Sequence, residues 1–348
     1  MPCSTRSRGN SAPTSFRVAS ALASGEDSLI ARYFKPIATD PGAFALDDDA
    51  AVLKAQGADI VVTTDAIVEG VHFLPGDPPE TVARKALRVN LSDLAAKGAA
   101  PAGFVLTLVL RAVDDAWLKP FAGALGEDAK SYACPLLGGD TVSTSGPLTI
   151  SVTAFGRVPA DKMVHRSGAR RGDRVVVTGT IGDAVLGLDI LKGGAVATAL
   201  AGDEAARQML VGRYRVPQPR NALASAIRAH ASAAMDVSDG LVGDLTKLCA
   251  ASGVSAAIHV PGIPLSRPAA ALVAQRAIGI ETLITGGDDY EILCAIPEAS
   301  YEAFAQDARK AGVPVTPIGA VIAGNAIPSF LDERGRELAL KRRSFSHF

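Results

Sequence analysis

Ile60-Val61-Val62-Thr63-Thr64-Asp65 reads as a buried β-strand that ends by delivering a carboxylate. Four more segments share its character, with acids beside small or hydroxyl residues and mostly next to an apolar run. They are Leu46-Asp47-Asp48-Asp49-Ala50-Ala51, Asn90-Leu91-Ser92-Asp93, Gly138-Gly139-Asp140-Thr141 and Asp236-Val237-Ser238-Asp239-Gly240. A fold that sets the apolar runs side by side could bring these acids to one rim of a sheet. Carboxylates gathered that densely repel one another unless something cationic lies between them. Oxygen donors without a His or Cys set point to Mg²⁺, usually shared with substrate phosphates. Neither a Walker loop nor a GxGxxG motif occurs, so the usual glycine-and-lysine phosphate cradles are absent. Metal ions would then have to neutralise nucleotide phosphates.

Size and composition bound the rest. A chain of 348 residues is long enough for two domains of ordinary size. The net charge is −1 and the Lys and Arg residues are scattered, so no basic face points to nucleic acid. Lys341-Arg342-Arg343 reads as a small solvated patch. Cys3, Cys134, Cys249 and Cys294 show no CxxC spacing, which favours reduced thiols in a cytoplasmic protein over a zinc site or disulfide framework. No apolar stretch is long enough to span a bilayer. Residues 1–24, rich in Ser, Arg and Ala and without an apolar core, are expected to be a disordered tail.

Periodicity and punctuation predict helices over 28–33, 79–97, 117–130, 183–191 and 240–251. Strands are predicted over 60–64, 104–110, 148–157, 175–178 and 292–296. Pro, Gly and charges cluster over 159–173, which places a boundary there. The expected organisation is an N-terminal α/β unit over 25–160 and a C-terminal α/β unit over 161–348.

Each acidic motif alone has a plainer reading. Asp47-Asp48-Asp49 suits a loop or helix start, and Thr63-Thr64-Asp65 a strand-end turn. Asp236-Val237-Ser238-Asp239-Gly240 suits a helix cap made by Ser238 or Asp239. Gly138-Gly139-Asp140 allows close backbone approach to an anion, but any turn favours Gly and Asp. Asn90, Ser92 and Asp93 are poor helix formers inside an apparent helix, where a site explains them better than propensity. His72, a lone histidine, stands between a structural and a functional role, and Arg166 between a surface arginine and a phosphate clamp. Phe121 and Tyr132 read as helix-face aromatics of the core, with Phe121 also a candidate at the nucleotide. The joint occurrence of the five motifs decides for phosphoryl chemistry.

In order, Asp48-Asp49-Ala50-Ala51, Thr63-Thr64-Asp65 with His72-Phe73, Val89-Asn90-Leu91-Ser92-Asp93, Gly138-Gly139-Asp140-Thr141, Arg166-Ser167-Gly168-Ala169, Asp236-Val237-Ser238-Asp239-Gly240 and Gly286-Gly287-Asp288-Asp289-Tyr290-Glu291 follow one another. This series resembles the thiamine-monophosphate kinase family, within the ATP-binding superfamily of aminoimidazole ribonucleotide synthetase. The likeness runs from about Gly25 to Ser346-His347-Phe348. It implies an α/β (α+β) fold in which an N-terminal mixed sheet with helices forms a dimeric barrel, followed by a C-terminal α/β sandwich. It further implies a homodimer that transfers phosphate from ATP to thiamine monophosphate. By motif, Asp48, Asp49, Thr63, Thr64, Asp65, Asp93, Asp140, Asp236 and Asp239 should hold Mg²⁺, with Asp65 and Asp140 central to catalysis. Gly139, Asp140, Arg166 and Ser238 should contact ATP, and His72, Asp288 and Phe345 the thiamine phosphate. The chain departs from the family pattern in Ala45-Leu46-Asp47 before the first acid pair, in Thr63 for Ser, and in Asp288 for Glu.

Other members of the superfamily are the nearest rivals. Selenophosphate synthetase would need a reactive N-terminal Cys with a nearby Lys, and the hydrogenase-maturation dehydratase ends in Cys; Cys3 has no such Lys and the chain ends in Phe348. Aminoimidazole ribonucleotide synthetase and formylglycinamidine synthetase stay open. A nucleotide sensor without turnover would show lost metal ligands, yet every aspartate motif is intact.

Overall fold

The computed structural model describes residues 29–41, 43, 55, 57–325 and 327–340. Asp47, Asp48, Asp49 and Phe345, the expected tail 1–24 and the basic run 341–343 lie outside them.

The first sheet holds β1 (Ala58–Val68), β2 (Ala100–Leu110), β3 (Leu136–Ser143) and β4 (Thr149–Pro159) in the order β1-β4-β2-β3. Only the β2–β3 pair is parallel. Strand β1 runs past Asp65 as far as Val68, so Thr63-Thr64-Asp65 lies within a strand and not in the turn considered for it. Two helices, α1 (Pro79–Ala96) and α2 (Asp115–Ser131), cover one face. Leu87, Leu91 and Leu94 of α1 and Phe121 and Leu125 of α2 bury themselves there against Phe104, Leu108 and Val152. The polar residues at 90–93 do not interrupt α1; Asn90 and Ser92 are fully buried within it.

Among the described residues no helix covers the other face of this sheet. Residues paired directly across a sheet point the same way, and Val62 pairs with Phe155 while Val109 pairs with Val142. Val62 is 57% exposed and Val142 42%.

The second sheet has the order β10-β7-β9-β5-β8-β6. Its strands are β5 (Arg174–Thr178), β6 (Ala233–Asp236), β7 (Ser255–His259), β8 (Ile292–Ile296), β9 (Val315–Ile322) and β10 (Ser329–Leu331). Around it lie α3 (Asp183–Leu191), α4 (Glu204–Arg215), α5 (Leu241–Ser252) and α6 (Tyr301–Lys310). The C-terminal end of α1 belongs to both units, because Ala95 and Ala96 pack against Val176, Ile292 and Phe304 of the second. Helix α1 is therefore the element that fixes one sheet relative to the other.

Two local expectations are corrected. The segment expected as a helix over 28–33 is a π-turn at Ile30–Phe34 followed by a 3₁₀ turn at Lys35–Ile37, where Pro36 removes a donor. Helix α5 starts from Gly240 without a side-chain cap. Asp244, one turn inside the helix, instead accepts from the backbone N–H groups of Ser238 and Asp239 at 3.0 and 2.9 Å. Among the described residues no helix is long and apolar enough to cross a membrane.

Candidate active site

Four carboxylates from distant parts of the chain lie near enough to perturb one another where the two units adjoin. Asp65 comes from β1, Asp93 from α1, Asp236 from the end of β6, and Asp239 from the turn before α5. Pairing with Val152 turns Asp65 toward the helix-covered face, and thus toward Asp93. Thr63, two residues earlier on the same face, donates to Asp93 Oδ2 at 2.5 Å. Lys247 of α5 bridges Asp239 and Asp244.

The acids perturb one another. The Asp65 carboxyl is pushed up to about 6, first by desolvation and then by Asp93 and Asp239. Asp65 itself is exposed at the rim, so solvent screens part of that repulsion. Asp236 is buried, and desolvation together with Asp93, Asp244 and Asp65 raises its carboxyl well above the ordinary range. Burial lowers the nearby Lys97 ammonium, opposed by Asp236 and Asp93 and reinforced by Arg166. Lys97 Nζ donates to the Ala234 carbonyl at 2.8 Å.

These donors fit Mg²⁺ in chemistry: carboxylate and hydroxyl oxygens, crowded enough to favour a cation among them. Among the described residues no three His, Cys, Asp or Glu side chains are grouped closely enough to hold one ion unaided.

The cluster opens into a cleft of roughly 660 Å³ whose lining includes Asp65, His72, Ser238, Asp239, Asp288 and Tyr290. His72 Nδ1 accepts from the Val68 backbone N–H at 3.0 Å. Asp288 and Tyr290 have φ of 72° and 50°, left-handed values that only surrounding structure can hold in place and that cluster at functional sites. Their neighbours Asp289 and Glu291 point inward. Asp289 accepts from the backbone of Gly182 and Ala184 at the start of α3, and Glu291 receives Arg213, Arg220 and Thr178.

Not every expected residue joins this cluster. Asp65 pairs with Val152, Val152 with Leu106, and Leu106 with Gly139. Asp140 is thus three strands from β1, about 14 Å at the usual strand spacing. Paired with Thr107 rather than Leu106, it faces the uncovered side of the sheet. Thr64 faces that side too, bonded to Thr153 at 2.9 Å. Gly139 lies within β3, and a Cβ there would sit 2.0 Å from the Leu106 carbonyl oxygen; close strand contact accounts for this glycine. Arg166 is exposed beside Lys97. Phe121 is corrected: fully buried and stacked on Trp117 at 4.7 Å, it is a core residue and not a nucleotide contact.

Sequence reasoning passed over Lys85, Tyr214, Asp244 and Lys247. Lys85 carried a usable signal, since it follows Val82 by three positions and precedes Val89 by four. A lysine on the apolar stripe of a helix must bury its ammonium beside a partner.

Two α/β units share helix α1, and four acids, Asp93 of that helix among them, lie beside a cleft; both units match the family of AIR synthase related proteins. The N-terminal domain model of that family matches residues 47–158 and its C-terminal domain model residues 170–330. A thiamine-monophosphate kinase of Caulobacter vibrioides is 44% identical, with 91% of this chain and 89% of the relative covered. One from Escherichia coli is 38% identical over 94% and 99%. The chain belongs to the thiamine-monophosphate kinase family. Among solved structures, thiamine-monophosphate kinase from Stenotrophomonas maltophilia superposes with a TM-score of 0.76 at 35% identity, covering 84% of this chain and 91% of that one. AaThiL complexed with AMPPCP and TMP gives 0.72 at 31%, covering 86% and 91%. The hydrogenase maturation protein HypE in complex with ATP shares the fold, with a TM-score of 0.74 at 18% identity.

Proposed function

We propose that this protein phosphorylates thiamine monophosphate to thiamine diphosphate, using ATP as phosphate donor. One observation carries the reading: a single cleft is lined by Asp65 and Asp239 of the carboxylate cluster together with His72, Asp288 and two tyrosines. A cleft so lined offers shared cations and polar side chains to two phosphate-bearing molecules at once. AaThiL was solved with the ATP analogue AMPPCP and TMP, and the family likeness extends that ligand pair to this chain.

The residues that would hold Mg²⁺ at the cluster are Thr63, Asp65, Asp93, Asp236 and Asp239; the family motif adds Asp48, Asp49, Thr64 and Asp140, of which Thr64 and Asp140 would serve from the opposite face of the sheet. Bound there, the ions would supply neutralisation of the two polyanions and of charge developing at the transferred phosphate. Ser238, with its backbone N–H fixed by Asp244, and Gly139 and Arg166 are assigned to the nucleotide. His72, Asp288 and Phe345 are assigned to the acceptor. The attacking phosphate oxygen is already ionised near neutral pH, so no general base is required. The protein's part is positioning and electrostatic stabilisation.

Because Thr64 and Asp140 face the uncovered side of the first sheet, we assign that face to a homodimer in which a second copy covers it. Units 25–160 and 161–348 are taken as the two domains, and buried Cys134, Cys249 and Cys294, all free, accord with a reducing cytoplasm. A coupled assay offering thiamine monophosphate, free thiamine and an aminoimidazole ribonucleotide precursor in parallel, with Mg²⁺ or with EDTA, tests the assignment. Mg²⁺-dependent ADP release with thiamine monophosphate alone is expected; turnover of only another acceptor overturns it.

A further inference from the structure

Lys85 lies behind the wall of the cleft, 1% exposed, and its ammonium is saturated. It donates to Asp288 Oδ2 at 2.9 Å and to the His72 carbonyl at 2.8 Å. It also lies 3.9 Å from the centre of the Tyr214 ring, whose hydroxyl donates to the same His72 carbonyl at 3.2 Å. One lysine on α1 therefore grips two of the three residues assigned to the acceptor, His72 and Asp288. His72 follows β1 in the first unit, and Asp288 lies in the second, 203 positions along the chain from Lys85. Without Lys85 nothing else described holds the Asp288 carboxylate except Tyr290, whose hydroxyl donates to Oδ1 at 3.3 Å.

Resting on the proposed function, we infer that Lys85 is the positioning residue of the acceptor subsite. The acceptor meets Asp288 as half of an ion pair, not as a free counter-charge for a cationic thiazolium. With Oδ2 committed to Lys85, Oδ1 retains a lone pair that can accept an N–H from the acceptor's aminopyrimidine. Recognition at Asp288 is then a directed hydrogen bond whose geometry Lys85 fixes. An ion pair so placed adds specificity rather than attraction, because an acceptor lacking the amino donor leaves the carboxylate oxygen unmet.

The test compares wild type, Lys85→Met, Asp288→Asn and the double variant with thiamine monophosphate and with its 4-oxo analogue, which lacks the amino donor. Wild type should prefer the amino form. In Lys85→Met the KM for thiamine monophosphate should rise on the order of tenfold with the KM for ATP within about twofold, a loss confined to acceptor binding. Preference over the 4-oxo analogue should collapse, and the double variant should be no worse than Lys85→Met, because both changes act through one carboxylate. A merely structural lysine would lower stability and turnover while leaving the preference intact, and that result overturns the inference. So does tighter acceptor binding in Lys85→Met, which would mean that the freed carboxylate pairs with the thiazolium. If Lys85→Met does not fold, Asp288→Asn tests the same pair from the cleft side, and undiminished preference there also overturns it. Failure of wild type to use thiamine monophosphate at all would instead remove the functional reading beneath it.

Discussion

Thr63 Oγ1 donates to Asp93 Oδ2 at 2.5 Å, fastening the strand that carries Asp65 to the helix that carries Asp93. The threonine hydroxyl orients the Asp93 carboxylate within the acid cluster. Thr63→Val, which keeps shape and removes the hydroxyl, should lower kcat/KM roughly 10–100-fold, as losses beside a metal ligand do. Thr63→Ser should stay within a few-fold of wild type. Initial rates across a Mg²⁺ titration check this; equal activity of Thr63→Val and Thr63→Ser would refute it.

Asp65 gives a prediction with opposite signs for activity and stability. Its carboxyl is pushed up to about 6 in the folded chain, above about 3.9 for an unperturbed aspartate. A folded-state pKa raised in this way contributes stability that is complete below about pH 4 and lost as the pH rises through about 6. Asp65→Asn should therefore raise the melting temperature of the metal-free protein at about pH 7.5, with the gain over wild type shrinking toward about pH 4. Turnover should fall by orders of magnitude in the same variant. Thermal melts in EDTA at the two pH values, beside the coupled assay, read both.

Glu291 is a structural counterpart to these acids. Fully buried, it receives Arg213 at 2.7 Å, Arg220 Nε at 2.7 Å and Thr178 Oγ1 at 2.6 Å. Glu291→Ala leaves two guanidinium groups without their carboxylate and should cost on the order of 3–5 kcal/mol of unfolding free energy, as broken buried pairs do. Urea unfolding should show a lower midpoint at an unchanged slope. A midpoint equal to that of wild type would contradict the reading.

The uncovered sheet face gives a prediction about assembly. Sedimentation should show wild type as a dimer at micromolar concentration, while Val62→Asp, at a position 57% exposed in the single chain, should shift it to monomer. An unfavourable charge in an apolar interface has no ready partner there. A monomeric, fully active wild type would exclude the homodimer.

The sequence exposed most of what periodicity controls. Strand β8 and helix α3 coincide with their expected ranges of 292–296 and 183–191, because apolar runs and flanking Gly or Pro bound them sharply. The reach of β1 beyond Asp65 was not visible, since pairing with β4 and not local propensity carries it to Val68. The acid motifs were legible as residue types, but which of them converge depends on strand order. Neither the separation of Asp140 from Asp65 nor the side each faces can be read before β4 is known to lie between β1 and β2. The cap of α5 escaped for a similar reason: Ser238 and Asp239 have capping side chains, yet Asp244 captures their backbone donors from inside the helix.

The pairing of Lys85 with Asp288 also constrains how the chain can be made. Translation releases residues in order, and the last strand of the first sheet ends at Pro159. Asp288 follows 129 positions later, roughly 6–26 s of synthesis at about 5–20 residues per second. For that interval the nascent sheet can close its apolar core around Leu87, Leu91 and Leu94, but the ammonium on the same helix has no carboxylate to meet. Helix α1 must therefore stay wet along that edge on the ribosome, and only the arrival of the second half lets the lysine be sealed in.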